Sequence, residues 1–154
     1  MLIRTATEAD IDAMHRIRMA VRENALRDPP RVQPADYRPY LATRGRGWVC
    51  ELDGRIVGFA VADAPRRSIW ALFVDPQFEG RGIGHALHAA MLTWLFTLDR
   101  APVTLGTEPG TRAEQFYRRA GWTFQGPTNH GEASYQITHE AFDINRPPRP
   151  GSAA

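Results

Sequence analysis

Lysine is absent from the 154-residue sequence, and all nineteen of its basic residues are arginine. A Walker-type phosphate loop needs a lysine directly after its second glycine, so this class of nucleotide site is excluded. The formal net charge is only +2, whereas a surface specialised for nucleic acid carries a larger excess of positive charge. We therefore expect no nucleic-acid partner.

Cysteine and long apolar runs are also scarce. Cys50 is the single cysteine, so no disulfide can form within the chain, and we interpret its thiol as a buried structural group in a reducing compartment. No stretch of about 18 apolar residues is present to span a membrane. The first ten residues also lack the apolar core of a signal peptide. The sequence therefore predicts a cytoplasmic protein with no membrane partner.

The sequence does contain enough apolar residues for a core. They make up 43% of the chain, and a length of about 150 residues is typical of one domain. We predict a single domain over residues 1–144, followed by a flexible, proline-rich tail over residues 145–154. Asp28-Pro29-Pro30 predicts a loop over residues 24–32, because proline lacks a backbone donor and restricts the residue before it.

Hydrophobic periodicity predicts an alternation of strands and helices. Strands are predicted over residues 2–6, 48–52, 55–62, 68–74, 103–107, 122–126 and 133–139, and helices over residues 8–22, 34–43, 82–98 and 111–120. Asp53-Gly54 predicts a tight hairpin turn, and Thr7 with Asp10 predicts the cap of the first helix. This order of elements favours an α+β fold, a mixed central β-sheet of about seven strands flanked by about four helices.

The most informative segment runs from Trp70 to Gly84: a strand, a stop at Pro76, and three alternating glycines that open a helix. The first amides of a helix have no partner within it and carry partial positive charge, and glycine lets a phosphate approach the main chain. The segment therefore predicts an anion site. A dinucleotide-binding fingerprint is excluded, because His85 stands where its third glycine is required.

This segment resembles the pyrophosphate signature of the GNAT superfamily of acyl-CoA N-acyltransferases: Gln or Arg, two residues of any type, Gly, any residue, then Gly or Ala. Gly82 and Gly84 match the signature, whereas Glu79 occupies the first position, where the family prefers a hydrogen-bond donor. Residues 111–122 resemble the family's late helix, with Tyr117 at the position of its tyrosine. Thr111 replaces the Asn often found at the start of that helix and can still cap it.

The resemblance implies a GNAT-like fold and an N-acetyltransferase activity. Such an enzyme transfers an acetyl group from acetyl-CoA to a primary amine of a small molecule or peptide, by direct attack in a ternary complex. The same glycine segment would also serve a non-catalytic acyl-CoA-binding sensor domain, which is the alternative. The resemblance also allows a homodimer.

The resemblance further implies roles for individual residues. Tyr117 would donate a proton to the departing coenzyme A thiolate. Glu108, just beyond the strand that starts at Val103, is the leading base for the amine, with Asp75 and Glu23 as alternatives. The residues expected to bind the cosubstrate are Phe73, Val74, Glu79, Gly80, Arg81, Gly82, Ile83, Gly84, His85 and Thr111. Phe73 and Val74 would offer main-chain groups to the pantetheine arm and the thioester carbonyl.

The sequence does not assign a function to two further groups of residues, a pair of histidines and a set of arginines. His85 and His88 are three residues apart on a predicted helix, but no third ligand is suggested, so no metal site is predicted. The acceptor pocket is expected to involve residues 21–44 and 126–132. Four arginines in or near these segments would suit an acceptor that bears a carboxylate or phosphate: Arg22, Arg27, Arg31 and Arg38. The simpler interpretation is that they are ordinary solvated surface residues.

Overall fold

The structure, a computed structural model, describes residues 1–23 and 32–145. The loop predicted over residues 24–32 and the tail predicted over residues 145–154 lie outside this range, apart from Val32 and Asn145. Contacts divide the chain into two compact units, residues 1–95 and residues 96–154.

The first unit is an antiparallel meander with helices. Its elements are β1 (Leu2–Thr5), α1 (Ile11–Glu23), α2 (Tyr37–Pro39), β2 (Gly45–Leu52), β3 (Arg55–Asp63), β4 (Ser68–Val74) and most of α3 (Ile83–Leu98). The strands pair in chain order, each antiparallel to the next. Asp53 and Gly54 have φ of 51° and 79°, as the predicted hairpin between β2 and β3 requires.

The start of α1 is fixed by the predicted cap. The amide of Thr7 donates to the Asp10 carboxylate at 2.8 Å, and Arg4 donates two hydrogen bonds of 2.9 Å to the same carboxylate. The Arg4 guanidinium therefore lowers the pKa of Asp10 below its ordinary value. This cluster ties β1 to the first turn before α1, and the predicted cap is confirmed.

One hydrophobic cluster of the first unit packs α1 against the meander. α1 contributes Met14 and Ile17, and they pack with the buried Tyr37, Val49 and Phe59. The thiol of Cys50 is also buried, as predicted, and burial raises its pKa.

On β3, Gly58 lets α3 approach closely. A Cβ at this position would lie 3.0 Å from both Ile83 and Leu87. A side chain at position 58 would therefore displace the start of α3, the end of the helix where the glycine-rich segment lies.

The second unit contains β5 (Val103–Thr107), α4 (Arg112–Arg119), β6 (Thr123–Pro127), β7 (Ala133–Ile137) and α5 (His139–Asn145). β7 lies between β5 and β6 and is antiparallel to both. Phe96, in the last turns of α3, stacks on Phe142 of α5 with ring centroids 5.7 Å apart. None of the helices in residues 1–23 and 32–145 is long and apolar enough to cross a membrane.

The predicted α+β fold with about seven strands is confirmed, with two differences in the helices. The helix predicted over residues 34–43 is a series of short helical turns, and Pro39 within it has no amide hydrogen to continue the pattern. The helix α5 was not predicted. Thr138 begins it by accepting a hydrogen bond from the Ala141 amide at 3.1 Å, so the last strand ends at Ile137 rather than at His139.

Candidate functional site

The segment between β4 and α3 forms an open backbone turn. Gly80 and Gly82 have φ of 77° and 79°, a conformation that residues with a Cβ rarely adopt. In the described part of the chain, a Cβ built on either glycine meets no heavy atom within 4 Å other than those of the glycine and its two chain neighbours. The two glycines thus allow the turn and leave room for a ligand beside the main chain.

The first turn of α3 presents amides that the helix itself does not use. The first helical hydrogen bond runs from the amide of Ala86 to the carbonyl of Gly82 at 3.1 Å, so the amides of Ile83 and Gly84 have no partner within the helix. Ile83 is 1% exposed, and its buried side chain anchors this turn. The positive end of the helix dipole favours an anion here.

Two arginine side chains lie near this turn. The guanidinium carbon of Arg81 lies 5.1 Å from the centroid of the Phe78 ring, and that of Arg55 lies 5.4 Å from the same ring. Arg81 is exposed. Sequence reasoning missed Arg55 and Phe78, which are far apart in the chain, because only the pairing of β3 with β4 brings them together.

Asp75, one of the alternative bases, has a structural role in the same turn. Its carboxylate accepts a hydrogen bond of 3.0 Å from the Gln77 amide and lies 3.5 Å from Arg55. Asp75 is 6% exposed. These contacts occupy the carboxylate and argue against its acting as a base.

The other predicted cosubstrate residues of the first unit flank the turn. Phe73 and Val74 end β4 opposite Phe59 and Gly58, and their side chains are half-buried, so contact with a cosubstrate would come through the main chain. Glu79 has an extended backbone, with φ of −64° and ψ of 156°. The side chains of Glu79 and His85 are exposed.

Thr111 caps α4 in the second unit. Its hydroxyl accepts a hydrogen bond of 3.2 Å from the Glu114 amide and donates one of 2.8 Å to the carbonyl of Glu108. Glu108 directly follows β5, and its side chain is half-buried. The structure therefore brings the predicted base and the predicted cap together at the start of α4.

Tyr117 is buried in α4, with 7% exposure. Its ring packs edge-on against Phe116 and Trp122, with centroids 5.4 Å and 5.5 Å away. Burial raises the pKa of the phenol well above its ordinary value. The hydroxyl thus carries its proton at neutral pH, which a proton donor must do.

A hydrogen-bonded chain ties β7 to α4 and was not predicted. Nε of Arg118 donates to the Tyr135 hydroxyl at 2.7 Å, and that hydroxyl donates to the Glu114 carboxylate. Glu114 also accepts from the amide of Gly110 at 2.9 Å, and its pKa is lowered chiefly by the Tyr135 hydrogen bond. The four-residue spacing of Glu114 and Arg118 is visible in the sequence, but the register of Tyr135 is not.

Comparison with known protein families identifies the family to which this chain belongs. The sequence profile described as the acetyltransferase (GNAT) family matches residues 11–122, a range that contains both segments on which the resemblance rests. The chain belongs to the GNAT family. The predicted family and the predicted class of enzyme, an acetyltransferase, are thereby confirmed.

Curated relatives share part of this GNAT chain. N-acetylaspartate synthetase of Rattus norvegicus is 31% identical over 88 residues, which cover 54% of this chain and 29% of that protein. The aligned regions span well under half the length of the curated relatives that match.

Solved structures share nearly the whole fold. Ribosomal-protein-alanine N-acetyltransferase from Brucella melitensis has a TM-score of 0.72 and 26% identity, with 90% of this chain and 99% of that chain covered. The paia N-acetyltransferase from Thermoplasma acidophilum, solved in complex with coenzyme A, has a TM-score of 0.71 and 11% identity, with 90% and 98% covered. The second of these likenesses shows the fold alone.

Some residues that the sequence suggested for this GNAT site lie beyond the described side chains. These are Arg22, Glu23, Arg27 and Arg31. Arg38 is described; it is exposed and pairs with Glu8 at 2.9 Å. Arg38 therefore has a carboxylate partner of its own on the surface.

The two histidines of α3 differ in environment. His85 is exposed, whereas His88 is buried, and burial, helped by the nearby His85, lowers the pKa of His88 to about 4. No group of three or more potential metal ligands occurs among residues 1–23 and 32–145.

The buried His88 predicts a loss of stability in mild acid. In the unfolded chain it takes up a proton near pH 6.5, but in the folded chain only near pH 4. The unfolded state therefore binds more protons between these values, and the free energy of unfolding falls by up to about 1.4 kcal/mol per pH unit. We expect His88→Gln to reduce this loss when urea unfolding is compared at pH 7 and pH 5.

The exposed His130 provides the control for this measurement. His130→Gln should leave the loss between pH 7 and pH 5 as in the wild type. The lowered pKa of Asp10 acts only below its ordinary value of 3.8 and so does not enter this pH range. An equal loss in the wild type and in His88→Gln would show that His88 is not the cause.

Proposed function

We propose that this protein transfers the acetyl group of acetyl-CoA to a primary amine of a small molecule or peptide, by direct attack in a ternary complex. The observation that carries the proposal is the open turn at Gly80 and Gly82, followed by the unused helix amides of Ile83 and Gly84, in a chain of the GNAT family. The names of the similar proteins described above, two N-acetyltransferases and an N-acetylaspartate synthetase, support an amine acceptor.

In this proposal the diphosphate of coenzyme A rests against the main chain of residues 80–85. Amides at the positive end of α3 donate to the phosphate oxygens. Arg81 adds a charge-assisted contact, whereas Arg55, near the same turn, is paired with Asp75. The main-chain groups of Phe73 and Val74 bind the pantetheine arm and polarise the thioester carbonyl, where negative charge grows during attack.

The chemical step removes two protons from the ammonium nitrogen and supplies one to the sulfur. An amine with a pKa near ~10 is mostly protonated at neutral pH, and Glu108 is proposed to accept its proton. The amine nitrogen then attacks the thioester carbon and loses its second proton to solvent, and the bond from carbon to sulfur breaks. The departing thiolate takes a proton from the Tyr117 hydroxyl, which regains one from solvent.

We also propose that residues 1–144 act as one acetyltransferase domain and residues 145–154 as a tail. The match to the GNAT profile supports a single domain, because residues 11–122 include parts of both compact units. Deletion of residues 146–154 should accordingly leave acetyl transfer unchanged.

The test is to incubate the protein with acetyl-CoA and a panel of amines while free thiol is measured. Amine-dependent thiol release supports the proposal. Thermal stabilisation by coenzyme A, of about 2.7 kcal/mol at a hundredfold excess over Kd, without thiol release for any amine would support the sensor domain instead. No stabilisation at saturating coenzyme A would contradict both functions.

Glu79 provides a test of how the diphosphate is bound. If its backbone alone lies near the phosphates, Glu79→Gln removes a negative charge and should leave Kd for coenzyme A unchanged or lower it by up to about fivefold. Isothermal titration calorimetry measures this, with the exposed Glu140→Gln as the control. A loss of affinity beyond about tenfold would show that the Glu79 carboxylate itself takes part in binding.

A further inference from the structure

A buried arginine in the first unit lacks a carboxylate partner. Arg18, in α1, is 6% exposed, and its Nε and Nη1 atoms are buried without a hydrogen-bond partner. Other arginines of this unit are paired with acids: Arg4 with Asp10, Arg44 with Asp63, Arg55 with Asp75. Among the described residues, no acid is found to pair with Arg18. A buried charge in this state is costly unless a counter-charge arrives.

Aromatic side chains enclose this guanidinium. Its central carbon lies 4.8 Å from the ring centroid of Trp70, 5.0 Å from that of Phe73 and 6.0 Å from that of Tyr37. Such cation–π contacts stabilise the charge but leave the N–H groups of Nε and Nη1 without acceptors. Tyr40 stacks on Trp70 with centroids 4.3 Å apart. We refer to Arg18, His15, Tyr37, Tyr40, Trp70 and Phe73 as the Arg18 cluster.

The Arg18 cluster reaches the surface and contains further polar atoms. His15, Tyr40, Trp70 and Phe73 are each partly exposed. The hydroxyl of Tyr37 lies 3.1 Å from Nδ1 of His15, and burial raises the pKa of Tyr37, an effect that the nearby Arg18 partly offsets. A ligand entering between these rings would meet one cation and a small number of hydrogen-bonding groups.

The register of β4 places the cluster beside the proposed reacting position. Ala71 pairs with Val61 and Ile69 with Ala62, so Trp70 is an extra residue at a bulge, a feature that redirects side chains. Trp70 and Phe73 both contact Arg18. The main chain of Phe73 is proposed to contact the thioester carbonyl, so an anion bound to Arg18 would lie within a few side-chain lengths of the acetyl group.

The charge of the cluster indicates which anion fits. Arg18 is the one arginine among the six residues of the cluster, and Arg44, near Tyr40, pairs with Asp63. One guanidinium matches the single charge of a carboxylate, whereas a phosphate dianion would bring a second charge into a partly buried site. We propose that the acceptor is an amine that also carries a carboxylate, which Arg18 binds. This inference rests on the proposed function and names its substrate class.

The experiment compares amines that differ only in a carboxylate or a carboxamide. The pairs are glycine with glycinamide, β-alanine with β-alaninamide, and alanyl-alanine with its C-terminal amide. The amides hold more free amine at neutral pH, so any preference for the acids is not caused by amine protonation. We expect kcat/KM for at least one acid to exceed that for its amide by roughly thirtyfold or more, through a lower KM.

Variants at Arg18 separate recognition from structure. Arg18→Met should raise KM for the acid by roughly thirtyfold and leave the amide within about threefold, and Arg18→Lys should restore part of the preference. The exposed Arg16 on the same helix provides Arg16→Met as the control, which should change neither value. A purely structural Arg18 would instead lower the melting temperature and affect acid and amide alike.

The outcomes distinguish a failure of this inference from a failure of the proposed acetyltransferase function. Failure of coenzyme A to bind contradicts the proposed function. Equal turnover of acids and amides by the wild type contradicts the inference alone, and this arm does not depend on any variant folding. If acetyl-CoA binds but no member of any pair is acetylated, the inference of a small carboxylated acceptor is wrong.

Discussion

Replacement of Tyr117 by phenylalanine is expected to lower kcat for acetyl transfer by about a hundredfold, with little change in KM for acetyl-CoA. The variant keeps the ring that packs on Phe116 and Trp122 and removes only the hydroxyl. Burial keeps that hydroxyl protonated at neutral pH, so its loss deprives the departing thiolate of its donor. Steady-state kinetics with free-thiol detection measures the effect.

A second buried tyrosine in the same unit provides the control. Tyr135 hydrogen-bonds Arg118 and Glu114, so Tyr135→Phe should destabilise the protein by about 1 kcal/mol while kcat changes by less than about threefold. A fall in kcat of less than about tenfold for Tyr117→Phe would remove Tyr117 from the role of acid.

Replacement of Gly82 by alanine is expected to weaken coenzyme A binding by at least about tenfold. A methyl group at this position would stand beside the main chain where the diphosphate is proposed to rest. The φ of 79° also makes any Cβ there strained, at a cost of about 1–2 kcal/mol. Isothermal titration calorimetry with coenzyme A gives the change in Kd.

Gly54 provides a matched control for Gly82. It also has a φ of 79°, and a Cβ built on it meets no heavy atom of the described chain within 4 Å beyond its own residue and its two chain neighbours. It lies in the hairpin between β2 and β3. Gly54→Ala should therefore destabilise the fold by a similar amount without changing Kd. If both variants bind coenzyme A equally well, the turn at Gly82 does not hold the diphosphate.

Local signals in the sequence were enough to predict much of the fold. The hairpin turn needs two positive φ values, which Asp53-Gly54 adopts more readily than most dipeptides. Thr7 and Asp10, three residues apart, form the cap at the start of the first helix. The bounds of β4 and β5 agree with the prediction because a proline lies within three residues of each end of both strands. Such features depend on residues close in the chain, so they can be recognised without knowledge of the tertiary structure.

The helix α5 shows where local signals mislead. Thr138 and His139 continue the alternation of β7, and the pattern alone therefore predicts a longer strand. In the structure the Thr138 hydroxyl accepts from the Ala141 amide and begins a helix. Phe142 then packs on Phe96, a contact 46 residues away in the chain that no local pattern contains.

The Arg18 cluster could not be found from the sequence for the same reason. Arg18 follows the apolar residue Ile17 in a helix that carries two other arginines. Sequence reasoning singled out Arg38 and three arginines that lie outside the described side chains. Arg38 proves to be exposed and paired with Glu8. Arg18 is enclosed by Trp70, Phe73 and Tyr37. A bulge in β4 places Trp70 there, and that arrangement depends on strand register.

The most direct test of the binding proposal is an NMR titration that follows the backbone amides with coenzyme A and, separately, with pantetheine, which lacks the diphosphate. If the turn holds the diphosphate, coenzyme A will shift the amides of residues 80–84 strongly and pantetheine will not, while both will shift Phe73 and Val74. Unchanged amides at residues 80–84 with saturating coenzyme A, or equal shifts with both ligands, would contradict the site proposed for the cosubstrate.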